Sequence, residues 1–256
     1  MAKHGCISGG ATDAWGYNSI FMARNVKGKD VVLPYSSWYS FDYQNENREP
    51  TYRRTRFTWY FFYDLINQLN VLIDGTQKSA TIIDADKNGL IAEAMALRAY
   101  FYFELSREFQ FPILKDPNAP GMPIYTTPAT ADVAGNPRGT LKETYDQINS
   151  DIAFALQNLG TGRNLKNQVN LNVAYGMAAR IYLEQGMWAE AEAAAAKAIE
   201  GFSLDAARYP DNYNGLTSDE VIWGFLKLLK IAVKHFIMVR PVHSLTITVM
   251  AMMLFG

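Results

Sequence analysis

The sequence predicts a mainly α chain: tetratricopeptide-like stacked helical hairpins with long loops. Three observations carry that prediction. From Tyr52 to Ile73 apolar residues recur at three- and four-residue spacings, the period of one helix face. Residues 172–200 read as two helices joined by Gln185-Gly186-Met187, with alanines where the two backbones would meet. Between Phe111 and Gly139 lie Pro112, Pro117, Pro120, Pro123, Pro128 and Pro137, which exclude a helix interior and make this stretch a long structured loop.

Taken in order, Trp15, Ile20, Phe21 and Met22 suggest a first helix from Ala11 to about Asn25, weakened by Gly16. Tyr35, Trp38, Tyr39, Phe41 and Tyr43 crowd the next stretch. The polar run Gln44 to Glu49 and Pro50 follow, so the segment reads as a loop. The helix from Tyr52 to Ile73 carries Phe57, Tyr60, Phe61, Leu65, Leu69 and Leu72 and should be long and largely buried, ending before Asp74-Gly75. A third helix is expected from about Leu90 to Phe109. It is apolar round most of its circumference, with Glu93, Glu104 and Arg107 confined to one narrow stripe, so it should be packed on several sides. Arg98 is the odd charge on that helix and is expected to pair with a buried carboxylate or carbonyl. Arg53, Arg54 and Arg56 read as a solvated helix start. Thr140-Leu141-Lys142-Glu143 is a capping box opening a fourth helix to about Leu159. In the hairpin that follows, Ala179, Ala191 and Ala198 permit close approach of Asn172–Glu184 and Trp188–Glu200, while Tyr175 and Tyr182 fill the gap toward a neighbour. Such a repeat cannot bury its face alone, so the third and fourth helices form the natural second pair.

Composition narrows the function. Hydrophobic residues make up 49% of the 256 and charged residues 19%, which supports a folded core over disorder. A net charge of -1 supplies no global basic field, so nucleic acid is not an expected partner. The single Cys6 permits no internal disulfide. Asp84-Ala85-Asp86-Lys87-Asn88-Gly89 begins like a calcium loop, but Met95 stands where the closing bidentate carboxylate belongs, so these are better read as turn residues leading into the third helix. His4, His235 and His243 lie toward the termini, and Cys6 has no thiolate partner at zinc-ligand spacing. There is no G-x-S-x-G elbow, phosphate loop or dinucleotide fingerprint. No metal, cofactor or catalytic residue is assigned.

The run Ala92-Glu93-Ala94-Met95-Ala96-Leu97-Arg98-Ala99-Tyr100-Phe101-Tyr102-Phe103-Glu104-Leu105 resembles the Glu-Ala, Leu-Arg-Ala, Tyr-Phe helix of the SusD/RagB nutrient-binding outer-membrane lipoproteins. Pro112-Ile113-Leu114 follows at that family's spacing. Gly16-Tyr17 to Leu33, Tyr52 to Ile73, Thr140 to Leu159 and Ala174 to Ile199 are similar to its other helices, so the resemblance spans about Gly16 to Phe225. It implies a non-catalytic cell-surface receptor that binds oligosaccharide, polysaccharide or another nutrient. That receptor would face outward in the cell outer membrane on a lipid anchor, beside a TonB-dependent, SusC-like transporter. Family members are roughly twice as long and begin with a lipoprotein signal, whereas Met1 to Cys6 contain no apolar stretch. The expectation is therefore an incomplete SusD-like helical region over residues 1–225. The alternatives are a tetratricopeptide-type protein-interaction scaffold and an α-helical carbohydrate-active enzyme.

Within this reading the aromatic loop is the candidate ligand site. Trp38 and Tyr39, with Tyr43 beside them, would stack on the apolar faces of sugar rings, while Asp42, Asn45 and Asn47 would bond hydroxyls. The competing reading is that these aromatics tuck the loop onto the core or contact the transporter.

From Val221 to Gly256 there is no Asp or Glu, although the preceding residues hold all 25. The uncharged run Pro241 to Gly256 falls short of the roughly 20 residues that span a bilayer. Residues 226–256 are thus an anomalous tail, and we hypothesise that a shifted reading frame or truncated gene model produced them. Translating the DNA beyond the Phe225 codon in the other two frames should yield a family-like continuation; two frames without one would rule this out.

Overall fold

The computed structural model describes residues 16–28, 31–130, 135–203, 220–225 and 248–249. Seven helices and two two-residue strands account for the regular structure among them. The long helix α4 (Asp84–Phe109) is the centre of the stack. It buries Ala92, Ala96, Ala99, Tyr100, Tyr102, Phe103 and Leu105, which is why its polar stripe had to be narrow. Both α3 (Arg53–Lys78) and α5 (Leu141–Asn158) pack along it, and α6 (Leu171–Glu184) with α7 (Trp188–Ala198) forms the next hairpin, joined to the stack mainly through α5. The architecture is mainly α and tetratricopeptide-like, with the pairs α4–α5 and α6–α7 as expected.

The first helix, α1 (Gly16–Lys27), lies against α4: Ile20 joins the main core, Tyr17 and Tyr100 share a hydroxyl hydrogen bond of 2.6 Å, and Arg24 pairs with Glu104 and Glu108. The expected start at Ala11 falls outside the described residues. Two boundaries differ from the sequence reading. Helix α3 runs through Asp74-Gly75 to Lys78 because Ile73 and Thr76 are buried; one glycine inside a helix costs only about 1 kcal/mol, less than burying a large apolar side chain gains. Helix α4 starts at Asp84, six residues before the expected Leu90, with Asp84 and Asp86 in its first turn where the helix dipole favours carboxylates. The stretch that begins like a calcium loop is therefore helical.

At the start of α5 both halves of the capping box are present: Glu143 N donates to Thr140 Oγ1 at 3.1 Å and Thr140 N to Glu143 Oε2 at 2.7 Å. Gly186 takes φ 72° between α6 and α7, the left-handed turn expected of it. Asn172 closes the other end of that hairpin, donating toward the carbonyls of Lys197, Ala198 and Glu200. Glycine is obligatory at Gly121 too, where a Cβ would lie 2.1 Å from the Thr140 carbonyl oxygen. Beyond α7, Val221, Ile222 and Trp223 are buried, and β1 (Gly224–Phe225) pairs antiparallel with β2 (Thr248–Val249). The rest of the tail lies outside the described residues.

One buried charge organises the stack. Arg98 donates Nε and Nη2 to the two carboxylate oxygens of Asp151 on α5, each at 2.7 Å, and Nη1 to Asn70 Oδ1 on α3 at 2.8 Å and to the Thr126 carbonyl at 3.3 Å. Asn70 in turn donates to the carbonyls of Tyr125 and Thr127. The partner expected for Arg98 is thus a carboxylate and a carbonyl together. Asp151→Ala, which strands a buried guanidinium, should cost about 3–5 kcal/mol in urea unfolding, and Arg98→Leu combined with Asp151→Leu should cost less.

Candidate functional site

Residues 31–50 reach the surface and return to α3. The aromatic segment is not wholly a loop: it closes in a single helical turn, α2 (Ser40–Tyr43), entered through Ser37, whose carbonyl accepts from Ser40 N and whose own N–H donates to Ser40 Oγ. Asn45 and Asn47 follow in left-handed conformation, φ 59° and 55°, which asparagine tolerates better than most residues.

Asp42 fastens this segment. Its carboxylate is buried, accepts from Arg54 Nε at 3.2 Å, and lies 3.9 Å from Lys27 Nζ. It therefore joins α1, α2 and α3, and its oxygens are already engaged within the protein. Arg54 is half-buried in that pair, so the start of α3 is not simply a solvated basic cluster; of the three arginines there, Arg56 is the exposed one. Trp38 remains 50% exposed while the Arg53 guanidinium lies over its ring, 4.4 Å from the centroid. That stacking supports one face of the indole and leaves the rest toward solvent. Arg54 stands 5.6 Å from the centre of the half-buried Tyr39 ring.

Two adjoining clefts result. One, about 260 Å³, is bounded by Trp38, Phe41, Tyr52 and Arg53, and the other, about 440 Å³, by Arg24, Lys27, Asn45, Arg48, Arg107, Glu108 and Phe109. Asp42, Glu46, Asn47 and Arg54 belong to both and form the partition. Of the residues singled out from sequence, Trp38, Asp42, Asn45 and Asn47 come together here; Tyr39 and Tyr43 belong to the same segment but line neither cleft, and Tyr43 is 40% exposed. Asn45 accepts from Arg48 through its side-chain oxygen. Sequence reasoning placed Phe41 in the aromatic cluster without giving it a role, and it missed Tyr52 and the stacking of Arg53, although an Arg pair just after an aromatic cluster is the signal for ring–guanidinium stacking. It had no signal for Arg24, Glu108 and Phe109, which come from distant helices.

The floor of the larger cleft is electrostatically closed. Burial disfavours the charged form of Arg24, but Glu104 and Glu108 outweigh it and hold the guanidinium pKa above its ordinary value. Arg107 lies 3.7 Å from the fully buried Glu104 and 3.8 Å from Glu184. Among the described residues no group of three or more His, Cys, Asp or Glu is placed to hold a metal ion.

The arrangement is a helical-repeat scaffold with an aromatic loop at its surface, seated against the start of α3. Residues 13–183 match the model of the SusD-like family described as starch-binding proteins associating with the outer membrane, and the chain belongs to that family. Its fold is similar to that of a SusD-like carbohydrate-binding protein from Bacteroides vulgatus, with 28% identity, a TM-score of 0.75, and 88% of this chain and 48% of that one covered. A SusD superfamily protein from Bacteroides thetaiotaomicron is 25% identical with TM-score 0.65, covering 76% and 44% of the two chains. One from Bacteroides fragilis shares the fold at 22% identity and TM-score 0.70, covering 80% and 48%. No curated protein matches the chain. The chain spans about half the length of these solved relatives.

Because Asp42 holds three elements together, Asp42→Ala should destabilise the protein by about 1–3 kcal/mol in thermal or urea unfolding. Trp38→Ala, at a half-exposed position, should stay within about 0.5–1 kcal/mol of the parent.

Proposed function

We propose that this chain binds glycan without cleaving it, as the helical part of a cell-surface receptor, and that the Trp38 segment is where ligand docks. The observation that carries the reading is Trp38 itself: a half-exposed indole at a cleft, backed by Arg53, on a loop pinned to the scaffold by Asp42. A flat apolar face held in place suits the apolar face of a pyranose ring, because little side-chain freedom remains to be lost on binding. Glu46, Asn45 and Asn47 at the same clefts offer acceptors and donors for hydroxyl groups. Membership of a starch-binding, outer-membrane-associated family and likeness to a carbohydrate-binding relative at 28% identity support the ligand class.

The same membership supports an outward-facing place on the outer membrane, lipid anchoring, and delivery of bound oligosaccharide to a TonB-dependent, SusC-like transporter. Asp42, expected from sequence to bond a ligand hydroxyl, is in this proposal a positioning residue, and Tyr39 and Tyr43 flank the docking face.

The test is affinity electrophoresis of the whole chain in gels containing soluble starch, laminarin or xyloglucan. Trp38→Ala should weaken retention about fivefold or more, the loss of one aromatic stacking partner. Unchanged retention of Trp38→Ala and Tyr39→Ala in every gel that retards the parent would count against this loop. Release of shorter sugars during incubation would instead favour the enzyme alternative.

A further inference from the structure

Farther along α3 lies another cleft, about 450 Å³, between Trp59, Tyr60, Tyr63 and Asn67 of the helix and the Pro-rich segment 123–130 with Asn136. It is set off from the Arg24–Glu108 cleft by the edge-on contact of Trp59 with Phe109, 5.0 Å between centroids. The two differ sharply in chemistry. Eight charged side chains surround the cleft on the Phe109 side, whereas none of the described residues lining the one on the Trp59 side is charged.

Its walls are held by the protein without help from a ligand. Tyr63 OH donates to the Pro123 carbonyl at 2.9 Å, Tyr125 N to Tyr102 OH at 2.6 Å, and Ala129 N to Asn67 Oδ1 at 2.8 Å. The Arg98 and Asn70 donors anchor the carbonyls between them. A pocket built this way is preformed, so binding need not order the loop. What it presents is selective. The Tyr60 ring is 52% exposed, the Asn67 amide keeps its N–H groups because its oxygen is committed to Ala129, and Asn136, whose N–H donates to the Ile124 carbonyl, keeps its oxygen.

A charged ligand would lose water here and meet no counter-charge among the described residues that line the cleft. A wholly apolar one would cover the Asn67 and Asn136 amides without bonding them. A ligand with flat apolar faces and hydroxyl-bearing edges satisfies both the rings and the amides. We propose that this cleft is a second glycan-binding site, for an uncharged oligosaccharide segment, distinct from the Trp38 loop. The inference rests on the reading that the chain binds glycan, but not on Trp38 being the place. Arg53 and Tyr60 are seven residues apart on one helix, about 10 Å along its axis, so one extended chain can reach both.

Tyr60→Ala removes the exposed ring, and Asn67→Asp keeps the acceptor for Ala129 while removing the amide donors. Each should keep the parent's helical circular dichroism and weaken binding to soluble starch, laminarin or xyloglucan, whichever the parent binds, about fivefold; combination with Trp38→Ala should weaken it further. Parent-like binding of both variants to every neutral glycan the parent retains would overturn the second site while leaving the Trp38 reading intact. Loss in these variants with full binding by Trp38→Ala would uphold this site and overturn that loop. A parent that binds polygalacturonate alone, or none of the probes, would overturn the inference.

Discussion

The bidentate pair of Arg98 with Asp151 is the contact on which the arrangement of helices and loop depends. An ionised guanidinium in an apolar interior is tolerable only when its donors are met, and here they are met from three elements at once: a carboxylate on α5, an amide on α3 and a carbonyl of the Pro-rich segment. Breaking any one of those relations strands a polar group that water cannot reach. The charge therefore specifies how three helices and a loop sit together, which the apolar contacts around it, being non-directional, do less sharply.

The loop explains why such donors are required. Proline has no N–H, and a segment rich in it neither forms a helix nor pairs along a sheet, so its carbonyls need partners from elsewhere. Those of Pro123, Tyr125, Thr126 and Thr127 are bonded by Tyr63, Tyr102, Asn70 and Arg98. Phenols and amides on the helices thus stand in for a missing strand partner, and the loop becomes a fixed wall. Burial, reinforced by neighbouring phenols, raises the Tyr63 pKa well above its ordinary value and keeps that hydroxyl protonated and donating.

Helix α3 carries this principle toward function. At its start, Arg53 and Arg54 hold Trp38 and Asp42; midway, Tyr60, Tyr63 and Asn67 face the Pro-rich wall; farther on, Asn70 enters the buried network. A helix about 39 Å long built from its 26 residues places a loop, three clefts and a core network in one rigid register. The ligand contacts proposed on this spine would be displayed by the scaffold and need little ordering on binding.

Much of this was legible in the residues. The period of Phe57, Leu65 and Leu69, the Thr140–Glu143 capping box, the Gly186 turn and the alanines of the last hairpin are local signals, because helix propensity, capping and turn geometry act within a few residues. Of the misread boundaries, Gly75 lies inside α3 because burial of Ile73 and Thr76 outweighed a weak local preference, and Asp84 opens α4 with carboxylates that the helix dipole favours. The partner of Arg98, the engagement of Asp42 with Arg54 and the meeting of Trp59 with Phe109 involve residues 12 to 53 positions apart. The sequence by itself determined the helices, their pairing and the presence of an aromatic loop. Only the tertiary structure decided which of those aromatics stand at a cleft and which charges are already spent on one another, because desolvation and hydrogen-bond geometry depend on neighbours that chain order does not reveal.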